Sequence, residues 1–199
     1  MKDSYLTVKK NTVSEFKAGK SVFIAQSFRI SSTAEALEKI KSVRKKYYDA
    51  SHHPFAYRLG VSNDSFRYSD DGEPQGSSGI PILEMIDKYR LTDTLVIVSR
   101  YFGGIKLGVG GLRRAMAEAA GLCLKNSESA EVLITENVMI EFDYKYMSGV
   151  MNLIETEKIK LTQNISDEKC KLILEVRLSI IKKLRTELQS VTNGSIKYT

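Results

Sequence analysis

No apolar run in this chain of 199 residues approaches the roughly 18 residues that a helix needs to cross a bilayer. The opening stretch MKDSYLTVKK carries no apolar core of the signal-peptide kind. Both absences point to a cytoplasmic protein without membrane contact. Cysteine is scarce: Cys123 and Cys170 stand far apart in sequence, without the close spacing of a zinc site or a disulfide framework. Buried thiols are expected, and no metal or other cofactor. Histidine is scarcer still in its distribution, since His52 and His53 are adjacent and no others occur. With only those two, the spaced Asp/His/Glu set of a metal-dependent peptidase cannot be assembled. There is no G-x-x-x-x-G-K-[ST] phosphate loop and no G-x-S-x-G nucleophile turn. Gly108 and Gly110 lack the third glycine of a dinucleotide fingerprint. Internal repeats and low-complexity segments are absent as well.

What is present suits an ordinary globular chain. Apolar residues make up 42% and charged residues 27%, enough for a real core. The net charge of +6 is unevenly placed. Residues 1–130 hold 20 Lys/Arg against 14 Asp/Glu, and residues 131–199 hold 10 against 10. The excess lies wholly in the first part, where it favours a polyanion such as RNA, or an acidic protein surface. A mildly basic surface kept for solubility explains the same balance.

The patterning predicts an α+β chain. Residues 20–30 read as a strand. Ser32 and Glu35 form a capping box for a helix over 33–48, with Ala34, Leu37, Ile40 and Tyr47 as its apolar side. Strands follow at 54–61 and 65–69, joined by a turn at SNDS. A helix at about 80–90 turns Ile82, Leu83, Ile86 and Tyr89 inward. TLVIVS at 94–99 suits a central strand buried on both faces. A small-residue helix runs from about Gly110 to Lys125, and Asn126 to Ala130 read as a linker. Beyond it the order is strand, helix, strand, strand, helix, strand, the β-α-β-β-α-β arrangement of ferredoxin-like domains. Two domains are expected, at 1–129 and 130–199.

Three segments could carry chemistry. The first runs from Gly103 through Gly104, Lys106, Gly108, Gly110 and Gly111 to Arg113 and Arg114. Glycines let main-chain N–H groups approach a ligand, and a helix start adds unpaired donors and partial positive charge. With Arg100 and three further cations nearby, this is a candidate anion or nucleic-acid site. Tight turning and close helix packing would equally account for the glycines. The second segment holds Asp70, Asp71 and Glu73. These could fix the loops by pairing with Arg100, Arg113 or Arg114, or hold Mg²⁺ through oxygen. Ser77 or Ser78 could cap the following helix. The third is Ser51-His52-His53. His52 could donate to phosphate or act as an acid or base, and a structural hydrogen-bonded histidine is the alternative.

At these segments the chain resembles the Impact family, including its bacterial YigZ-like members. The likeness lies in Phe23-Ile24-Ala25, in Ala50 to Tyr57, in the DDGEP run from Asp70 to Leu83, and in RYFGGIKLGVGGL within Ser99 to Met116. It covers about 20–120. Val22 stands where an arginine is usual, Pro54 replaces the usual cysteine, Ser77-Ser78 replace Thr-Ala, and Met116 replaces a tyrosine. A catalytic role needing that cysteine or tyrosine has no counterpart here. The resemblance implies a two-layer α/β N-terminal domain of the ribosomal-protein and elongation-factor G type. It implies a C-terminal domain like the last, ferredoxin-like domain of elongation factor G. Eukaryotic members regulate translation under amino-acid starvation and carry a further N-terminal partner-binding domain, which is not expected here. The expectation is a non-catalytic binding protein of the translation apparatus, contacting RNA, the ribosome or a ribosome-associated protein. The alternative is an enzyme acting on a phosphorylated small molecule or nucleotide.

Overall fold

A computed structural model describes residues 3–61 and 65–198. The chain divides into two compact units, Tyr5–Val132 and a second that takes Leu133 onward together with the segment before Tyr5.

The first unit holds β1 (Ser4–Val8), β2 (Thr12–Ala18), β3 (Ser21–Arg29), α1 (Thr33–Lys46), β4 (Phe55–Leu59), β5 (Ser65–Ser69), α2 (Gly79–Lys88), β6 (Thr94–Tyr101) and α3 (Gly108–Ser127). Strands β2 to β6 form one antiparallel sheet in the order β2-β3-β6-β4-β5. The apolar run TLVIVS thus becomes its middle strand, buried on both faces. Alternation along β6 sorts its side chains between two cores. Val96 and Val98 join Phe23, Ile82, Ile86 and Met116 under α2 and α3. Leu95 and Ile97 join Ile40, Phe55 and Tyr57 under α1. Helices therefore cover both faces, and α1 adds a layer to the two-layer arrangement the resemblance implied.

Three local readings shift. Ser32 does cap α1, its hydroxyl accepting from the Glu35 amide at 3.2 Å, but Glu35 reaches the Ser31 amide instead of the cap residue's own. The buried face of α1 is Ala36, Ile40 and Val43; Leu37 is 41% exposed. Ala34 and Leu37 keep helical spacing too, but on a stripe turned away from the sheet, and spacing alone does not choose between neighbouring stripes. Tyr89 lies past the end of α2 and is exposed. The strands β1 and β2 have no counterpart in the sequence reading: β1 is only five residues long, and β2 mixes polar and apolar residues with three of its seven exposed. Residues 62–64 of the expected SNDS turn lie outside the described residues; the flanking strands β4 and β5 pair as a hairpin would.

The supposed linker at 126–130 is the end of α3 and the start of β7 (Ser129–Leu133), which pairs with β1. The second unit then runs β8 (Thr135–Phe142), α4 (Met147–Thr156), β9 (Lys160–Asn164), β10 (Cys170–Arg177), α5 (Ile181–Val191) and β11 (Lys197–Tyr198). Its antiparallel sheet has the order β11-β8-β10-β9. Ile140, Phe142, Leu172 and Leu174 pack against Val150, Ile154, Leu184 and Leu188 of the two helices. Both cysteines are free and buried, Cys123 in α3 and Cys170 at the start of β10.

The face chosen by α1 is testable in the intact chain by urea unfolding. Ile40→Ala should cost about 2–4 kcal/mol, and Leu37→Ala less than about 1 kcal/mol. The reverse ranking would place the helix on its other stripe.

Candidate functional site

Arg100 is the last residue but one of the central strand β6, on the same face as Val96 and Val98, where the core meets the surface. Its guanidinium lies 5.6 Å from the Phe23 ring centre and 5.4 Å from that of Phe102. The residue is only 6% exposed. Its charge is met by Glu73, itself 8% exposed, whose two carboxylate oxygens accept from Nη1 at 2.7 and 2.8 Å. The Nε of Arg100 is buried and has no hydrogen-bond partner among the described residues.

The three carboxylates of the acidic loop have separate tasks. Asp70 accepts from the main-chain N–H groups of Gly76, Ser78 and Gly79 at 2.8, 2.9 and 2.8 Å. It therefore caps α2, the task considered for Ser77 and Ser78. The Ser77 hydroxyl donates to the Pro74 carbonyl, and Ser78 makes no side-chain capping bond. Asp71 pairs with Arg44 of α1 through one oxygen and accepts from the His53 amide at 2.7 Å through the other. Its main-chain carbonyl lies 2.8 Å from Nδ1 of His52. A carbonyl only accepts, so Nδ1 carries the proton and the neutral ring presents Nε2 as an acceptor. Gly72, at φ +88, passes beneath that ring; a Cβ there would sit 3.1 Å from it.

Residues 51–54 continue the line of β4 beside β6. The Ser51 amide donates to the Arg100 carbonyl at 2.8 Å, and the Arg100 amide to the His52 carbonyl at 2.9 Å. The Tyr101 hydroxyl donates to Asp49 at 2.7 Å, and that bond pushes its pKa up to about 12. His53 turns inward, its Nδ1 2.9 Å from the Ser99 hydroxyl. Burial holds its pKa below the ordinary 6.5, with the charge of Asp71 opposing and those of Arg44 and His52 assisting.

These pieces enclose a cleft of about 510 Å³. Of the residues expected from the sequence, His52, Glu73, Arg100, Lys106 and Gly108 line it. Phe102, Leu107, Val109 and Leu112 supply most of its apolar wall. Phe102, 47% exposed, is absent from the residues the sequence points to; its place directly after a buried strand and before a glycine pair is the one signal for it. The Gly103 backbone lies so close to Lys20 that any Cβ would collide with it, which makes this glycine a packing residue. Gly104 shapes the turn outside the cleft lining, and Gly108, Gly110 and Gly111 form the first turn of α3.

That first turn has no side-chain cap and no acidic residue. The N–H groups of Gly108, Val109 and Gly110 therefore lack intrahelical acceptors at the positive end of a helix of 20 residues. The cations divide. Arg113 turns away, donating to the Gly76 carbonyl and to Glu84 at 3.2 Å. Arg114 is exposed and folds back over the first turn, 3.9 Å from where a Gly110 Cβ would stand. Lys106 is exposed on the cleft, with no ion-pair partner among the described residues. Among the described residues there is no cluster of three or more His, Cys, Asp or Glu arranged to hold a metal ion.

Residues 19–124, which include every residue of this cleft, match the family model of the Impact N-terminal domain. The chain belongs to the Impact family. It is 36% identical over 163 residues to the Impact family member YvyE of Bacillus subtilis, covering 82% of this chain and 75% of that protein. It is 29% identical over 182 residues to the Impact family member YigZ of Escherichia coli, covering 89% and 88%. A solved structure described as a hypothetical protein superposes with a TM-score of 0.72 at 24% identity, over 100% of this chain and 97% of the other, so the fold is shared. The departures from the Impact pattern lie away from the cleft lining. Met116 is fully buried in the core under α3. Pro54 is buried, its carbonyl accepting from the Val98 amide at 2.9 Å.

Two stability tests follow. Glu73→Ala, which strands the buried Arg100 charge, should cost about 3–5 kcal/mol, and Asp70→Ala, which uncaps α2, about 2–3 kcal/mol. Chemical unfolding should rank them in that order. For His53, folded and unfolded chains are alike above about pH 6.5. Below it the unfolded chain takes up a proton that the folded site resists, so stability falls with pH until the folded pKa is passed. Unfolding curves of His53→Asn between pH 7 and 5 should therefore slope less with pH than those of the parent chain.

Proposed function

We propose that this Impact family protein is a non-catalytic binding protein of the translation apparatus that holds RNA in the cleft between the acidic loop and the start of α3. The observation that carries the reading is the pairing of free first-turn N–H groups and the unpaired Lys106 with the exposed ring of Phe102. Phosphate suits the first two, and an unstacked base suits the third. The exposed cation Arg114 and the basic balance of the first unit extend the attraction beyond the cleft. His52 would add a hydrogen bond, and Asp70, Asp71 and Glu73 would hold the basic groups and loops in place. The ribosome, or an RNA within it, is the proposed setting, and a ribosome-associated protein the other partner of the same surface. The cytoplasm is the proposed location; no helix among the described residues is long and apolar enough to cross a membrane.

In this reading residues 1–129 form the Impact-type domain. Its sheet with α2 and α3 corresponds to the ribosomal-protein and elongation-factor G type, and α1 is an addition. Residues 130–199 form a ferredoxin-like domain, supported by the strand order β11-β8-β10-β9. An enzyme using Asp70 or Asp71 to hold Mg²⁺ against a phosphorylated substrate is less well supported. The oxygens of both carboxylates are already engaged by main-chain N–H groups and Arg44.

Filter binding to a short single-stranded RNA across a salt series tests the proposal. Affinity should fall linearly on logarithmic axes as salt rises, and Lys106→Ala should reduce the slope by about 1. Phe102→Ala should weaken binding by about 1–3 kcal/mol at any salt. Binding that ignores salt and both substitutions would remove the reading.

A further inference from the structure

We infer that the cleft is built for the terminal phosphomonoester of a nucleotide, in preference to an internal phosphodiester. The inference rests on the RNA-binding reading above and adds which part of the chain is bound.

Arg100 is the first ground. It is more than nine-tenths buried, its guanidinium is bonded to Glu73 and lies 5.4 Å from the Phe102 ring centre, and all three residues line the cleft. Among the described residues only Nη1 has an acceptor, and Nε is buried and unpartnered. A desolvated cation with unused donors is costly unless an anion completes it. Glu73 meets its charge through Nη1 alone, and a ligand anion in the cleft that Arg100 lines would share in completing it.

Charge and donor number are the second ground. An internal phosphodiester brings one negative charge, and two of its oxygens are tied up in the chain. A terminal phosphate brings about −1.5 to −2 and three strong acceptor oxygens. Within the cleft, Arg100 and Glu73 offset one another. Lys106 and the positive end of α3 then remain, with the Gly108 and Val109 amides as donors. His52 lines the same wall, its Nδ1 held by the Asp71 carbonyl. That surplus matches the doubly charged group better than the singly charged one.

Size is the third ground. A volume of about 510 Å³ lies within the range of about 300–1,000 Å³ typical of small-molecule pockets, and it suits one nucleotide. With a base against Phe102 and the phosphate at the start of α3, that unit is the end of an RNA or a free mononucleotide.

The test uses the full chain and fluorescence anisotropy, by direct titration or competition. Four ligands are compared: one short oligoribonucleotide with a 5′-phosphate, with a 3′-phosphate, and with hydroxyls at both ends, and a free nucleoside monophosphate. One phosphate-terminated oligonucleotide should bind at least about tenfold more tightly than the hydroxyl-terminated form, the scale of one added charge-assisted contact. Lys106→Ala should cut that preference to about threefold or less. Lys197→Ala, an equal loss of charge on β11, should leave it intact. Equal affinity for all three oligonucleotides would overturn the inference and leave RNA binding standing. Binding of the free monophosphate alone would do the opposite, sparing the phosphomonoester site and removing RNA as its ligand. No binding of any of the four would end both.

Discussion

The buried pair of Arg100 and Glu73 is the constraint around which the first unit is arranged. Arg100 emerges from the middle strand of the sheet, where a lone charge could not be tolerated. Glu73 is brought to it by a loop that crosses from the edge strand β5 to α2. Removing two charges from water is expensive, and the attraction offsets it only with good geometry and few loose ends. Here one nitrogen meets both oxygens at 2.7 and 2.8 Å, while Nε is left over. The pair thus ties the acidic loop to the sheet and also leaves one buried donor, Nε, unused beneath the cleft wall.

The rest of the acidic loop serves the same end. Asp70 fixes the start of α2, and Asp71 fixes both histidines and the end of α1. A run of carboxylates that looks like a cation site in one dimension is spent on main-chain donors and arginines in three. That arrangement removes negative charge from the ligand side. It leaves Lys106, Arg114 and the uncapped start of α3 unopposed, while Arg113 is tied to Glu84 and a main-chain carbonyl.

The family likeness gains physical content from these contacts. Asp70, Asp71, Gly72 and Glu73 each have a contact that another residue type would disturb. The Gly103 and Gly104 turn lets the chain pass Lys20 before α3 begins. The positions where this chain departs from the pattern have other duties. Met116 fills the core, and Pro54 lies buried beside the central strand. Neither lines the cleft.

The sequence by itself determined the family, the α+β class, the middle position of the TLVIVS strand and the order of elements in the second unit. Those are local matters of pattern: a run buried on both faces, a glycine-rich turn and alternating apolar residues can each be read within a few neighbours. Tertiary structure alone decided which stripe of α1 faces inward, that β1 and β2 exist, and how the charges are shared. Arg100 and Glu73 are separated by a helix and a strand in the chain, and Arg113 finds its partner on a different helix. Charge pairing across such distances depends on where the sheet and helices set the side chains. For that reason adjacent arginines, alike in sequence, end with one held in the fold and the other open to solvent.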